Sequence, residues 1–380
     1  MKKCEQTSIF DGEKRFKLTK PVRLVELFAG IGAQAKALEN LGVPFEHYFV
    51  CENDRFAVAS YNAIHGTGFE PCDVTKITAN DINVVDTDKF DYILTYSFPC
   101  TDLSTAGQMR GMSKDSGTRS SLLWEVERLL SEMEELPQVL IMENVPQVAA
   151  QKNERDFRRW LEFLAKIGYR SFAKILNAKD YGIPQNRQRM FVVSIREGWR
   201  YEFPSKVEES IGFKNYLDFS EEYAIDITRL SKTQKNCLKK LQDSEFSKTI
   251  RTKGRFSYDG SHTWDVYSVE LNQSEKFIKN KTLWLKNLSK TICVQHPTMY
   301  TLDGKVYFRY SPRECFRLMG FADADYEKAA SVSSKTQLYK QAGNSIVTTC
   351  LTAIFGTMTD VDYVQKINDL TVGLTERRKV

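Results

Sequence analysis

The sequence predicts an α/β protein, a doubly wound and mostly parallel sheet followed by a second, smaller and irregular domain. Three observations carry that expectation. Short apolar runs alternate with helical stretches from Val22 to Arg196. Most of those runs lack the polar alternation of a half-exposed strand, so both of their faces must be covered. After Arg196 the chain turns polar and irregular, rich in lysine and dotted with aromatics.

Five runs read as strands: Val22–Phe28, Phe45–Glu52, Tyr92–Ser97, Val139–Val145 and Met190–Ile195. Between them lie amphipathic helices. In Leu122–Leu136, the residues Leu122, Leu123, Val126, Leu129, Leu130, Met133 and Leu136 make one apolar stripe, with Glu125, Glu127, Arg128 and Glu132 opposite. Phe157, Trp160, Leu161 and Leu164 repeat the pattern, and Gly168 supplies a C-terminal stop. Strands alternating with helices imply a sheet covered on both sides.

Composition sets the outer bounds. The 380 residues are 42% hydrophobic and 27% charged, enough to bury a core. Met1 to Lys20 has no apolar stretch of the kind a signal peptide needs, and no run approaches the ~20 residues of a membrane helix. The eight cysteines form no CxxC pair, which argues against a zinc site or a disulfide framework and for a reducing cytoplasm. No metal is expected. The net charge of +5 is mild, but Arg229 to Arg255 holds nine Lys/Arg against two acids. Such a run is either a solvated face or part of a grip on nucleic acid.

The first strand ends in Phe28-Ala29-Gly30-Ile31-Gly32, where glycines permit a sharp turn and close approach to a ligand. Glu52, 22 residues after Gly30, closes the second strand at the position where such folds hold ribose hydroxyls, and Asn53 follows it. Asp73 could accept from an adenine amino group. The turn is a poor pyrophosphate cradle, so it suits an adenosine without one.

The next strand closes in Ser97-Phe98-Pro99-Cys100, which aims a cysteine from a strand's carboxyl end. The Gly/Ser/Met-rich segment from Ala106 to Thr118 reads as a mobile loop over that site. Glu143 ends an apolar strand, where burial should raise its pKa toward neutrality. Arg187 and Arg189, at i and i+2, should share one face of an extended segment. Gln341-Ala342-Gly343-Asn344-Ser345 reads as the opening of the final helix.

Taken in order, Phe28-x-Gly30-x-Gly32, Pro99-Cys100, Glu143-Asn144-Val145, Gln185-x-Arg187-x-Arg189 and Gly343-Asn344-Ser345 resemble the DNA cytosine-5 methyltransferase family. Pro312-Arg313-Glu314 through Arg317-Leu318-Met319-Gly320-Phe321 is similar to the family's penultimate motif. The resemblance runs from about Val22 to Phe355, apart from a variable stretch before Lys290. One position departs: Thr101 follows the Pro-Cys pair where the family usually carries glutamine.

The resemblance implies a Rossmann-like fold that uses S-adenosylmethionine and releases S-adenosylhomocysteine. It implies that Cys100 attacks carbon-6 of a cytosine flipped out of duplex DNA, and that Glu143 bonds N3 and the exocyclic amine. Arg187 would contact the base oxygen and lower the thiol's pKa, with Arg189 behind it or on a phosphate. Phe28, Gly30, Ile31, Gly32, Glu52, Asn53, Asp73, Val74, Pro99, Leu122, Asn344 and Ser345 would surround the cofactor. It implies a catalytic domain of residues 1–196 plus 341–380, a target-recognition domain of 197–310 and a return segment of 311–340. The implied partners are double-stranded DNA and, acting separately, a cognate restriction endonuclease; the chain would be monomeric. A tRNA-modifying branch shares the motifs, but the Cys-Phe-Thr tripeptide that would mark it is absent.

Overall fold

The structure is a computed structural model. It describes residues 14–100, 103, 111–114, 117–207, 212–230, 232, 235, 236, 238, 239, 267–269, 284–286, 288–292, 299–301 and 307–376. Six strands form the main sheet: β1 (Val22–Leu27), β2 (Phe45–Cys51), β3 (Asp91–Tyr96), β4 (Val139–Asn144), β5 (Tyr169–Asn177) and β6 (Gln188–Arg196). Their order is β2-β1-β3-β4-β6-β5. All neighbours pair in parallel except β6, which runs antiparallel to both β4 and β5.

Successive side chains of a strand point to opposite faces, and here both faces are core. Leu24, Ile93, Ile141 and Val193 enter one apolar cluster, while Val25, Leu94, Met142 and Val192 enter the other. This double burial explains the continuous apolar runs in the sequence. All five expected strands form. The apolar runs do not foretell β5, an edge strand whose Arg170 and Lys174 break the pattern.

Helices α1 (Ala33–Leu41), α2 (Arg55–His65), α3 (Leu123–Glu132) and α4 (Glu154–Lys166) connect the strands. Helix α3 buries Leu123, Val126, Leu129 and Leu130, and α4 buries Phe157, Trp160 and Leu164, as the stripes predict. Gly168, at φ 85°, turns the chain into β5.

On the first face the core is completed by the chain's last quarter: α5 (Pro312–Leu318), α6 (Asp323–Ala330), α7 (Lys335–Asn344), α8 (Thr348–Gly356) and α9 (Tyr363–Glu376). Helix α5 opens on a capping box in which the Ser311 hydroxyl accepts from Glu314 N (3.1 Å) and Glu314 Oε2 accepts from Ser311 N (2.6 Å). The segment Gly343-Asn344-Ser345 closes α7 rather than opening the final helix. Its glycine and asparagine end a helix as readily as they begin one, and the final helix is α9.

Between Arg196 and α5 the described residues include a five-stranded antiparallel sheet: β7 (Ala224–Ile225), β8 (Tyr267–Val269), β9 (Trp284–Lys286), β10 (Met299–Thr301) and β11 (Tyr307–Arg309), ordered β7-β11-β10-β8-β9. Strands of two or three residues are too short to reveal a period in the sequence. Most of the basic window from Arg229 to Arg255 lies outside the described residues.

Candidate active site

The carboxyl ends of β1 to β4 form one edge, and two groups of residues sit along it. The first surrounds the turn after β1. Phe28 (φ 60°), Gly30 (φ 59°) and Gly32 (φ 77°) are all left-handed. The amides of Phe28 and Ala29 both donate to the Cys51 carbonyl (2.8 and 3.2 Å), which pins the turn onto β2. Glu52 braces it from the next strand: its Oε2 accepts from Gly30 N (2.9 Å) and its Oε1 from Asp54 N (2.8 Å). Burial pushes the Glu52 carboxyl up, and these amides pull it partly back.

The two glycines differ in kind. A Cβ on Gly30 would meet nothing within 4 Å, so this side of the turn is open. A Cβ on Gly32 would lie 2.3 Å from His65 Nε2 and 2.7 Å from Tyr61 Cε2. Gly32 therefore lies against α2, and its smallness serves helix packing. Asp73 accepts from the Thr75 hydroxyl (2.8 Å) and amide (3.0 Å), which hold its carboxyl below the usual range. Val74 is buried and Asn53 exposed, while Phe28, Leu122 and Cys100 pack half-buried against the same apolar cluster.

The second group is chemical. Pro99 and Cys100 follow β3, and two ties hold their backbone. Ser120 Oγ donates to the Pro99 carbonyl (2.7 Å), and Asn144 Nδ2 donates to the Phe98 carbonyl (2.9 Å). The adjacent strand β4 carries Glu143, which is 8% exposed, and Arg189 Nε lies 3.0 Å from its Oε1. Burial raises the Glu143 carboxyl, as its place at a strand tip predicts, and Arg189, then Arg187, oppose that rise. Burial also raises the Cys100 thiol; Arg189 opposes it most, Glu143 adds to it, and Arg187 acts less than Arg189. Arg187 thus helps to lower this thiol, as expected, but desolvation outweighs both arginines and the net shift is upward.

Arg187 and Arg189 both act on this pair, as i, i+2 neighbours should, yet their contacts differ. The buried Arg187 guanidinium donates to the carbonyls of Ile292 (2.8 Å), Gly343 (3.1 Å) and Ser345 (2.8 Å). Gln185 works beside it, donating to the Leu318 carbonyl (2.7 Å) and accepting from Ile292 N (3.1 Å). These two side chains join the sheet, the 288–292 segment and the C-terminal helices. Arg189, expected behind Arg187 or on a phosphate, stands 3.0 Å from Glu143 Oε1. Nothing in the spacing ranks the two; only the course of the chain around them does.

Asn344 is exposed and Ser345 buried at the end of α7. Thr101, Asp102, Ser104 and residues 105–110, 115 and 116 lie outside the described residues. The described part of the expected loop is anchored: Trp124 Nε1 donates to the Met112 carbonyl (2.8 Å), and Ser113 Oγ to Asp156 Oδ2 (2.8 Å). Among the described residues, no helix is long and apolar enough to cross a membrane.

The winding of the sheet and the residues along its edge define a class, an α/β enzyme whose acting groups stand at strand ends beside a glycine turn. The chain belongs to the C-5 cytosine-specific DNA methylase family, whose sequence model matches residues 22–360. It is a DNA cytosine methyltransferase. It is 31% identical over 384 residues to the type II methyltransferase M2.ScrFI of Lactococcus lactis subsp. cremoris, covering 88% of this chain and 98% of that one. It is 30% identical over 394 residues to the orphan methyltransferase M.SssI of Spiroplasma monobiae, covering 88% and 97%. Among solved structures, the Entamoeba histolytica methyltransferase EhMeth shares the fold with a TM-score of 0.61 at 18% identity, over 90% of this chain and 99% of that one.

Proposed function

We propose that this chain transfers a methyl group from S-adenosylmethionine to carbon-5 of a cytosine flipped out of duplex DNA, through a transient bond from Cys100 to carbon-6. The observation that carries the reading is the grouping at neighbouring strand ends of Cys100, a buried Glu143 and Arg189 at 3.0 Å from it. The Cys100 thiol gives up its proton to solvent as the base arrives, and its thiolate sulfur adds to carbon-6. Glu143, whose proton affinity burial raises, hydrogen-bonds N3 and the exocyclic amine, so the electron pair released by the addition reaches carbon-5. Arg189 keeps Glu143 in place and meets the base oxygen. Arg187 positions both by holding Ile292, Gly343 and Ser345 to the sheet. Carbon-5 takes the methyl group, its proton leaves to water, and the electron pair so released re-forms the carbon-5–carbon-6 double bond and expels the Cys100 thiolate. A stacked base cannot be attacked at carbon-6, so flipping is required.

The cofactor supplies an electrophilic methyl on a sulfonium. The residues fit its adenosine half: the open side of Gly30 leaves space at the turn, and Glu52 stands one strand over. Glu52 holds the ribose hydroxyls, Asp73 the adenine amine, and Phe28, Ile31, Val74, Pro99 and Leu122 wall the ring, with Asn53, Asn344 and Ser345 at the rim.

Residues 1–196 and 341–380 act as the catalytic domain, 197–310 as the target-recognition domain and 311–340 as the return between them. The enzyme works as a cytoplasmic monomer, and a restriction endonuclease, where one accompanies it, acts separately; one relative bears a type II name and another an orphan one. The test is duplex DNA carrying 5-fluorocytosine in the target word, which bisulfite sequencing of methylated plasmid identifies. A denaturation-resistant conjugate through Cys100 is expected, and a link elsewhere, or none, overturns the mechanism. Methyl transfer to total tRNA in preference to DNA would overturn the substrate.

A further inference from the structure

Two of the four histidines of the chain meet beneath the turn that follows β1. One ring nitrogen each of His47 and His65 and a carboxylate oxygen of Glu39 lie within 4.8 Å of one another. These residues come from β2, the end of α2 and α1, and no spacing rule connects them. None of them takes part in the proposed transfer.

The hydrogen bonds around the rings fix which nitrogens have lone pairs to give. The Tyr61 hydroxyl donates to Glu26 Oε2 (2.5 Å), so its oxygen is left to accept from His47 Nδ1 at 2.8 Å. His47 then carries its proton on Nδ1 and offers Nε2. His65 Nε2 lies 3.2 Å from the Ile31 carbonyl, which only accepts, so that nitrogen carries a proton. His65 Nδ1 is 2.6 Å from Glu39 Oε1, another acceptor. Two lone pairs cannot face one another at that distance, so one proton lies between them; a cation that takes its place must part the two atoms by roughly under 1 Å to reach ordinary ligand spacing. The remaining Glu39 oxygen is held by Lys36 Nζ at 3.2 Å, which turns Oε1 toward the ring.

We propose that Glu39, His47 and His65 form a binding site for a divalent transition-metal ion of the Zn2+ class. The ion takes Glu39 Oε1, His47 Nε2 and His65 Nδ1, displaces the single proton shared by Glu39 and His65 into solvent, and completes its shell with water. Two imidazoles and a carboxylate are the donor set that zinc accepts with a fourth position open. Tyr61 and Glu26 behind His47 supply the outer partners that such ligands use to set ring tautomer. The His65 side chain is fully buried and lies against Gly32, so a bound ion would fix the floor of the turn on which Gly30 stands.

The test is titration of the full-length protein with Zn2+ alone, read by competition with a chromophoric chelator. One equivalent should bind, Glu39→Gln and His47→Ala should each abolish that equivalent, and Tyr61→Phe should weaken it about tenfold. Circular dichroism confirms that each variant is folded. Free cysteines, Cys51, Cys72, Cys100, Cys315 and Cys350 among the described residues, are the competing ligands. Co2+ in place of Zn2+ separates the two, since a nitrogen and oxygen site gives visible d–d bands without near-ultraviolet thiolate charge transfer. The unfolding midpoint should rise with Zn2+ in the parent protein and stay put in Glu39→Gln. No stoichiometric binding, binding that both substitutions leave intact, or a thiolate band on the bound equivalent overturns the proposal.

Discussion

The two ends of the reactive edge are built by different means. Around Phe28–Gly32 the backbone does the shaping: three left-handed residues, two amides on one carbonyl and a glutamate bracing the turn. Around Cys100 the backbone is ordinary, and shape comes from taking charge out of water. Glu143 is buried against Arg189, and both the thiol and the carboxyl are shifted upward by desolvation. A turn fixed by its own peptide groups presents the same surface with or without a ligand, which suits a cofactor. Desolvation disfavours the charged forms of both groups, which suits the proposed chemistry, begun only when the base arrives.

If this contrast is right, damage at the chemical end should fall on kcat and damage at the turn on KM for the cofactor. The largest effect expected is that of Cys100→Ser, which should lower methyl transfer at least about a thousandfold while cofactor binding, measured by titration calorimetry, stays within about twofold. Glu143→Gln comes next. It keeps the shape but removes the ionisable proton, and should cost roughly a hundredfold or more in kcat. If either loss appears in KM instead, the two ends are not functionally separate.

The turn is tested by Gly32→Ala. Alanine at φ 77° is strained, and its methyl would strike His65 and Tyr61, so about 2 kcal/mol of stability should be lost in denaturant unfolding. Glu52→Gln keeps the size but sets an NH2 against the amide of Gly30 or Asp54, so it loosens the turn as well as the grip on ribose, and should raise cofactor KM about tenfold or more with kcat nearly unchanged.

A further effect lies under the turn and depends on pH. Burial pushes Glu26 up to about 7, against the pull of the Tyr61 hydroxyl. A carboxyl whose folded pKa exceeds its unfolded one stabilises the protein below the unfolded value of 4.5, and that contribution disappears as pH rises through about 7. Unfolding free energy should therefore fall by about 2 kcal/mol more in the parent than in Glu26→Gln between about pH 5 and about pH 8. Equal slopes would show that Glu26 is ionised throughout.

Much of this architecture is legible in the sequence. The main sheet announces itself because strands buried on both faces must be apolar at nearly every position. Cys100, Glu143 and Glu52 are visible because a polar group at the end of such a strand has no core to serve. Strand β5 escapes because its outward residues, Lys174 among them, carry no such constraint. The division of labour between Arg187 and Arg189 escapes because Arg187 is satisfied by carbonyls far along the chain, at Ile292, Gly343 and Ser345. The Glu26–Tyr61–His47 contacts draw on three elements, and the packing of α2 against Gly32 likewise joins residues far apart in the chain.

The reversed direction of β6 has one more consequence. Since β6 runs against β4, its opening residues meet the closing residues of β4, with Met190 opposite Asn144 and Phe191 opposite Glu143. An arginine on the way into the sheet thus reaches a glutamate on the way out, which a co-directional neighbour could deliver only from its far tip. The arrangement is fragile to phase. A single residue inserted between Arg189 and Met190 would swing the guanidinium of Arg189 to the far side of the pleat, leaving the composition of the site intact and the carboxyl of Glu143 without that partner.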